Sequence, residues 1–336
     1  MTEPAPAPSD LGRVSVVIPH YGDPSLVRDL VSDLREQVGD GSLQVIVVDD
    51  ASPTPFPEEP DVTVVRRSHN GGFGSAVNAG AAVATGDFLL IANSDLRVGP
   101  DVVRTLVRIA ERLGAAVLSP RVVLMDGEPE PDGRRFPSLV ATFVESLYAL
   151  RRFGHRGWYR RLTGWMLPRG TEPEKVDWLH GACLFLRRAD FAAVAGFDER
   201  FFMYSEEVDL QRRLRQAGVA SFLVPSITVR HAGGASTGSP EAHEWMVRSR
   251  HTYAAKWGHV DRERRILRVA AYVNFVARSV AVVLGVPAAP RVALRRELML
   301  ASLPEWPADG RRDVPPAVAS PGRLPGADTP ERSRIP

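Results

Sequence analysis

Glu206, Glu207 and Asp209 fall within four positions of the stretch FFMYSEEVDL. Carboxylates repel one another and resist burial, yet a run of aromatics and Met203 leads straight into them. A helix starting near residue 206 makes Glu206 and Asp209 i,i+3 neighbours and turns Glu207 elsewhere. Acids are favourable at a helix start, and pairing of Asp209 with Arg212 or Arg213 would account for one or two of the three. The whole set suits a general base, which must lose its proton readily in a dry, shaped site.

Four more groups of residues have chemistry-bearing types. Asp49 and Asp50 close the apolar run VIVVDD. An acid there can accept hydrogen bonds from a base N–H or a ribose hydroxyl, or serve as a turn acid before ASPTP. The segment NGGFGSAVNAG (70–80) is glycine-rich and opens a helix, where backbone N–H groups attract phosphate. It is no dinucleotide fingerprint, because Val77 stands where the third glycine is needed and the segment follows the third strand, not the first. A P-loop is excluded, since neither Lys175 nor Lys256 follows a glycine. Asn93-Ser94-Asp95 ends a strand with oxygen side chains, and their spacing along an extended chain lets two of them reach one side. Hard divalent cations take such ligands, often one or two carboxylates completed by substrate phosphates. His231 ends a strand and precedes AGGAS, and as a metal ligand it would be partnered by Asp95. Trp178, His180 and Gly181 either line an acceptor pocket or belong to an aromatic core.

The elements that must position these residues follow from hydrophobic patterning. VSVVIP (14–19), LQVIVVDD (43–50), VTVVRR (62–67) and DFLLIANSD (87–95) read as buried strands. Helices are expected over 24–38, 74–84 and 101–113, with a strand at 115–119. Alternation of this kind makes an open α/β sheet covered by helices, with ligands bound beyond the C-terminal strand ends. Asp49, Asp50, Asn93 and Asp95 all sit there. The second half is less regular: a loop at 126–137, a helix over 138–150, and RRFGHRGWYRR (151–161) with five arginines and no acid. A turn and strand at 176–188, a helix over 206–217 stopped by Gly218, and a strand at 220–231 follow. The block 263–288 is apolar but broken by Arg268, Asn274 and Arg278, so it is read as a packed or interfacial amphipathic helix and not as a span. Region 261–297 holds eight arginines against three acids, which suits an anionic lipid surface. The expected organisation is a leader at 1–11, one α/β domain at 12–260, a helical region at 261–300 and a Pro-rich disordered tail at 301–336. A net charge of +2 argues against nucleic-acid binding. Cys183 is the single cysteine, which leaves no disulfide framework and no cysteine zinc site. The N-terminus has no apolar core of a signal peptide, and these features fit the reducing cytosol.

Taken in order, VSVVIPHYG, VIVVDDAS, NGGFGSAVNAG, GDFLLIANSDLRV, VDWLHGACLFLRR, GFDERFFMYSEEVDLQRRLRQAG and VRHAGGAS resemble family 2 glycosyltransferases of the GT-A fold, over about residues 13–260. Within that family the chain looks most like bacterial rhamnosyltransferases of the WbbL type. The resemblance implies that Asp49 and Asp50 hold the donor's base and ribose, with Pro19, Tyr21, Asn70, Gly72 and Asn78 lining the nucleotide pocket. It implies that Asn93-Ser94-Asp95 occupies the family's DxD position, with Asn93 in place of the first aspartate. Asp95 and His231 would then hold Mg²⁺ or Mn²⁺, and Glu207 would be the base, supported by Glu206 and Asp209. Trp178, His180 and Gly181 would meet the acceptor. The implied donor is dTDP-L-rhamnose or, failing that, a UDP-sugar as in a galactofuranosyltransferase. The implied acceptor is a lipid-linked or envelope glycan at the inner face of the cell membrane. Two readings compete from outside this class. An NAD-dependent oxidoreductase is opposed by the missing third glycine, and a non-catalytic glycan- or lipid-binding protein by the retained Asp95, Glu207 and His231.

Overall fold

The computed structural model describes residues 14–37, 43–128, 130, 133–166, 170–232 and 240–307. The leader, the chain beyond 307 and most of AGGAS lie outside these residues. The first half runs β1 (Val14–His20), α1 (Ser25–Glu36), β2 (Leu43–Asp49), β3 (Val62–Arg66), α2 (Phe73–Val83), β4 (Phe88–Ala92), β5 (Leu96–Arg97), α3 (Val102–Leu113) and β6 (Ala116–Leu124). There follow β7 (Gly133–Arg134), α4 (Leu139–Ser146), a 3₁₀ stretch (Tyr148–Phe153), α5 (Gly157–Thr163), β8 (Trp165–Met166), β9 (Glu174–Val176) and β10 (Trp178–Leu179). The chain then forms β11 (Cys183–Arg187), α6 (Arg188–Ala193), α7 (Glu206–Gln216), β12 (Ala220–His231), α8 (Pro240–Lys256), α9 (Val260–Val283) and α10 (Pro290–Leu300).

The main sheet has the order β3-β2-β1-β4-β11-β6-β12-β5, with β9 added alongside β12. Strands β3, β2, β1 and β4 are mutually parallel, whereas β11 runs antiparallel between β4 and β6. Alternate side chains go to opposite faces. Val14, Val16 and Ile18 of β1 pack with Val27, Leu30, Val103 and Leu106 of α1 and α3. Val17, Ile46 and Val48 face the other way, onto Ala76 and Val77 of α2 and Leu210 and Leu214 of α7. Helix α2 lies so close that a Cβ on Gly80 would sit 2.5 Å from Val17 and 2.8 Å from Val48.

Several expectations need adjusting. The fourth strand ends at Ala92, and Asn93-Ser94-Asp95 form a turn closed by Leu96 N–H to the Asn93 carbonyl (3.3 Å), not extended chain. The loop at 126–137 contains β7, which pairs with β8 and β10 in a separate three-stranded sheet. Strand β6 extends to Leu124, and β12 shifts register between Val224 and Thr228, where Pro225 removes a ladder donor. Helix α4 stops at Ser146, and its successor is 3₁₀. The basic 151–161 segment is that 3₁₀ stretch and α5.

Helix α9 is long and apolar enough, by length and composition, to cross a membrane. One face of it is nevertheless packed on the domain. Asn274, a residue that interrupts the apolar run, accepts from Tyr148 N–H (2.8 Å) and donates to the Ser146 carbonyl (2.8 Å). Arg278 pairs with Glu297 of α10 at 2.8 Å. Within the region expected to be a tail from 301, Leu303 and Trp306 are bonded back to α8, and residues beyond 307 lie outside the described residues.

Candidate active site

Strand pairing assembles the site. Because β11 runs antiparallel to β4, Cys183 pairs with Ala92, and Asn93 N–H donates to the Ala182 carbonyl at 2.8 Å. The turn bearing Asp95 therefore lies beside His180-Gly181-Ala182. Strand β12 pairs with β5, matching His231 to Leu96. His231 Nε2 reaches Asp95 Oδ1 at 3.0 Å, and Asn93 Nδ2 lies 3.3 Å from the same nitrogen. The other ring nitrogen, Nδ1, faces both oxygens of Glu130 at 3.1 and 3.2 Å. Burial would lower the His231 pKa, but hydrogen bonds to Asp95 and Glu130 outweigh it and hold the imidazole at about 9. A carboxylate on the far nitrogen is the arrangement that orients a metal-binding histidine.

The base candidate comes from the opposite side. A Cβ on Gly181 would lie 3.5 Å from Glu207 Cβ, so the turn after β10 and the start of α7 are in contact there. Gln211, one turn below Glu207 and fully buried, clamps them: it accepts from Leu179 N–H and donates to the Leu179 carbonyl, both at 2.8 Å. Glu207 is half-buried, and its Oε2 is shielded without a hydrogen-bond partner. Burial raises its pKa to about 7, against backbone N–H groups of the helix start and the charge of Arg134. Arg134 itself lies 5.2 Å from the Trp165 ring and 5.6 Å from the Trp178 ring, and is ion-paired to Glu145. Burial, with Glu206 and Glu207 nearby, pushes Tyr204 up to about 12. His180 is lowered by burial, and its Nδ1 has no partner.

The three clustered acids separate by environment. Asp209 is fully buried and takes bonds from Arg213 Nε (2.8 Å), Lys256 Nζ (2.8 Å) and Trp257 Nε1 (3.1 Å). Lys256 also reaches Asp198 at 2.7 Å. Asp209 thus fastens α7 to α8 and does not face the base, so the pairing with Arg213 describes it better than a role beside Glu207. Arg212 instead bonds the Tyr253 hydroxyl (2.8 Å) and stacks 4.0 Å from Trp257. Glu206 is buried beside Glu207.

On the nucleotide side, Asp49 has no exposed surface. It accepts from Ser52 N–H (2.7 Å), Phe56 N–H (2.8 Å) and Arg66. Burial would raise it, but these hydrogen bonds outweigh that and lower it. It is the turn acid before ASPTP. Asp50 accepts from Gly71 N–H (3.1 Å) and Gly72 N–H (2.8 Å), with Arg67 alongside, and so holds the glycine loop against the strand end. Asn70 bonds Gly72 N–H at 3.1 Å. Asn78 bonds Phe197 N–H and its carbonyl, both at 2.9 Å, and braces α2 rather than facing a ligand. Pro19, near the end of β1, and Tyr21, just past it, are half-buried. Trp178 is mainly core: it packs with Phe201, Val208 and Tyr253 and donates to the Arg135 carbonyl at 2.9 Å.

Metal-holding capacity can be judged from these donors. Among the described residues no group of three or more His, Cys, Asp or Glu converges on one point. Asp95 and His231 do converge, with Glu130 orienting the imidazole. Two protein ligands suit a cation whose remaining positions are filled by diphosphate oxygens and water.

The family model for glycosyl transferase family 2 matches residues 15–191, which contain the β1–β4 nucleotide half, the Asn93–Asp95 turn and β11. The chain belongs to this family. Relatives of this family-2 glycosyltransferase include the N-acetylglucosaminyl-diphospho-decaprenol L-rhamnosyltransferase of Mycobacterium tuberculosis, 34% identical over 63% of this chain and 73% of that protein. The rhamnosyltransferase WbbL of Escherichia coli is 37% identical over a shorter stretch, 24% of this chain and 31% of its own length. Among solved structures, GalNAc-T7 with UDP, GalNAc and Mn²⁺ superimposes with a TM-score of 0.53 at 18% identity, covering 71% of this chain and 47% of that one. The chain therefore spans about half of GalNAc-T7. The mannosyltransferase PcManGT of Pyrobaculum calidifontis, solved with GDP-Man and Mn²⁺, gives a TM-score of 0.50 at 15% identity over 86% of each chain. Both likenesses are of fold, and the fold is GT-A.

Glu130, Gln211, Arg134 and Tyr204 escaped the sequence reading. Glu130 lies in the loop GEPEPDG, which has no periodicity. Gln211 stands four residues after Glu207, a spacing that puts both on one helix face, and that signal was available.

Proposed function

We propose that this glycosyltransferase moves L-rhamnose from dTDP-L-rhamnose onto a hydroxyl of a lipid-diphosphate-linked glycan, with inversion at the anomeric carbon and Glu207 as general base. The observation carrying this reading is the unpartnered Glu207 Oε2, shielded beside Gly181 and held at a pKa of about 7. A base poised near the working pH is the most effective kind. Glu207 takes the proton of the acceptor hydroxyl as that oxygen attacks the anomeric carbon. The bond to the nucleoside diphosphate breaks on the opposite face. Asp95 and His231 would hold Mg²⁺ or Mn²⁺, which supplies neutralisation of the charge building on the diphosphate. Asp50 holds Gly71 and Gly72 where their loop meets the donor, and His180 and Gly181 border the acceptor side. The rhamnosyl assignment is supported by the M. tuberculosis relative; a hexose from a UDP-sugar is the second reading.

The acceptor's lipid is supported by the surface of α9. Val269, Tyr272, Val273, Val276, Val280 and Val283 are exposed and recur at spacings of three and four, a continuous apolar stripe. Arg262, Arg265 and Arg268 are exposed at its N-terminal end, and Arg291 and Arg295 on α10. None of these five has an ion pair among the described residues. An apolar stripe with unpaired arginines fits the anionic inner face of a membrane, bound peripherally.

The test is thermal stabilisation by dTDP, UDP and GDP, each with Mn²⁺, Mg²⁺ or EDTA. A ligand at about 100 times its Kd stabilises by about 2.7 kcal/mol. Metal-dependent stabilisation by dTDP alone is the expected result. Stabilisation by UDP would transfer the reading to a UDP-sugar, and no nucleotide response would overturn the donor site. Membrane contact is tested by flotation with phosphatidylglycerol vesicles, where an unbound protein counts against it.

A further inference from the structure

The turn that presents Glu207 is backbone-strained. Tyr204 (φ 72°) and Ser205 (φ 65°) are consecutive non-glycine residues in the left-handed region. Such residues persist only where their surroundings over-determine them. Two sets of contacts do so, and they come from opposite ends of the chain.

On one side, the Phe202 carbonyl accepts from Phe73 N–H at 3.1 Å, at the first residue of α2. A Cβ on Gly72 would sit 1.9 Å from that same carbonyl oxygen, and Gly72 itself has φ 84°. The glycine loop and the turn before the base are therefore in direct backbone contact.

On the other side stands the segment that follows α10. Its Leu303 carbonyl lies 2.9 Å from His251 Nδ1, and Trp306 N–H donates to Thr252 Oγ1 at 2.9 Å. The Trp306 indole Nε1 donates to Ser249 Oγ at 2.8 Å, and Ser249 Oγ donates in turn to the Met203 carbonyl at 2.7 Å. Ser249 is completely buried. The Trp306 ring also lies 5.9 Å from Phe202, which meets Trp245 at 5.1 Å. A Pro-rich stretch of the chain's C-terminal part thus reaches, through one hydroxyl, the carbonyl immediately before the strained pair.

We infer that Trp306 and Ser249 are positioning residues for the general base: the relay Trp306–Ser249–Met203 holds the Tyr204-Ser205 turn and so fixes the direction of the Glu207 carboxylate. The inference rests on Glu207 being the base. Ser249 serves as the joint because a hydroxyl can accept from the indole while donating to the carbonyl. Removing the indole donor or the hydroxyl leaves the half-buried Met203 carbonyl without this restraint and the turn freer, while the Phe202–Phe73 contact to α2 and the Asn93–Asp95 turn remain.

The experiment uses the full chain with three variants, Trp306→Phe, Ser249→Ala and the double, alongside Glu207→Gln. Turnover of dTDP-L-rhamnose with a short-chain polyprenyl-diphosphate N-acetylglucosamine acceptor is followed by release of nucleoside diphosphate. Each single variant is expected to lower kcat roughly 5- to 20-fold, less than the about 100-fold that a 1 Å misplacement can cost, because the Phe202–Phe73 contact still holds one side of the turn. Donor KM stays within about twofold, since uniform donor binding is untouched. The double variant falls no further than the worse single one, as members of one relay should. Normal kcat in both singles overturns the inference, as does a loss confined to KM or matched by a lower folded fraction in thermal denaturation. Normal turnover by Glu207→Gln would instead remove the base reading beneath it. An inactive Glu207→Gln together with normal relay variants removes the relay alone.

Discussion

Glu207→Gln should make the protein more stable at high pH, and the size of that gain follows from the burial of the carboxyl. The group rises from an ordinary 4.5 to about 7 because its carboxylate is desolvated. Between those values the folded chain keeps a proton that the unfolded chain has released. Stability therefore falls as pH rises through this window, since the native state binds more protons there. At about 1.36 kcal/mol per pH unit, the full loss by pH 8 is about 3 kcal/mol. Glutamine stays neutral and escapes it. The assay is thermal denaturation of wild type and variant from pH 4.5 to 8.5 without nucleotide. Other groups titrate in both proteins and cancel in the difference. The two curves should meet near pH 4.5 and separate to roughly 5–10 °C at pH 8, using the shift per kcal/mol of domains near this size. Parallel curves would refute the reasoning, for they would mean that Glu207 is solvated and ionises as an ordinary carboxyl.

The same carboxyl should give kcat a limb that rises with pH around 7, because only the ionised form accepts the proton, and a flat profile from pH 5.5 to 8.5 would contradict this. Glu207→Gln should lower kcat by roughly 10²- to 10⁴-fold, the usual contribution of a positioned base, as measured by steady-state nucleoside diphosphate release. Asp95→Ala should abolish the metal-dependent part of nucleotide stabilisation in a thermal-shift titration, and an unchanged difference between Mn²⁺ and EDTA would remove Asp95 from the metal site. Lys256→Met leaves Asp209 and Asp198 short of a shared cation in a largely buried cluster; urea denaturation should show a loss of about 3 kcal/mol, the lower end of the range for breaking buried pairs.

Continuous apolar runs made the nucleotide half readable. Strands β1, β2 and β3 and helices α1, α2 and α3 fall within a few residues of their expected limits; burial on both faces explains this for β1 and β2, whereas β3, expected to be buried, is a half-exposed edge strand. The two-residue strands β5, β7, β8 and β10 could not be read, since no period shows in two residues. Site residues divided in a similar way. Asp95 and His231 do meet across β5 and β12, whereas Glu130 comes from an aperiodic loop and only tertiary structure brings it to His231. Asp49 and Asn78 lie in the motif segments, yet their side chains are spent on the chain's own backbone. A motif marks a segment, and which of its side chains faces a ligand depends on the turn that follows. Proline and glycine around Trp306 predict a disordered tail, but its indole bonds Ser249, its backbone N–H bonds Thr252, and the Leu303 carbonyl meets His251, which together fix that stretch.

The crowding of acids at the start of α7 resolves into a division of roles set by donor count. The helix N-terminus favours negative charge by about 0.3–1 kcal/mol at each of these positions, which cannot by itself explain why their fates differ. Asp209 faces three side-chain donors, Arg213, Lys256 and Trp257, and so serves as the joint between α7 and α8. Glu207, two positions earlier, turns to the side of the helix where Gly181 leaves room and where one carboxylate oxygen meets no donor. Desolvation there exceeds the helix-start contribution, and the pKa rises toward neutrality. An under-satisfied carboxylate destabilises the fold, so it needs rigid neighbours that cannot relax toward it. Gln211 from below and the strained Tyr204-Ser205 turn from above supply that rigidity. The buried Asp209 cluster anchors the same helix two residues later, which lets the sequence place an under-satisfied acid beside a fully bonded, structural one.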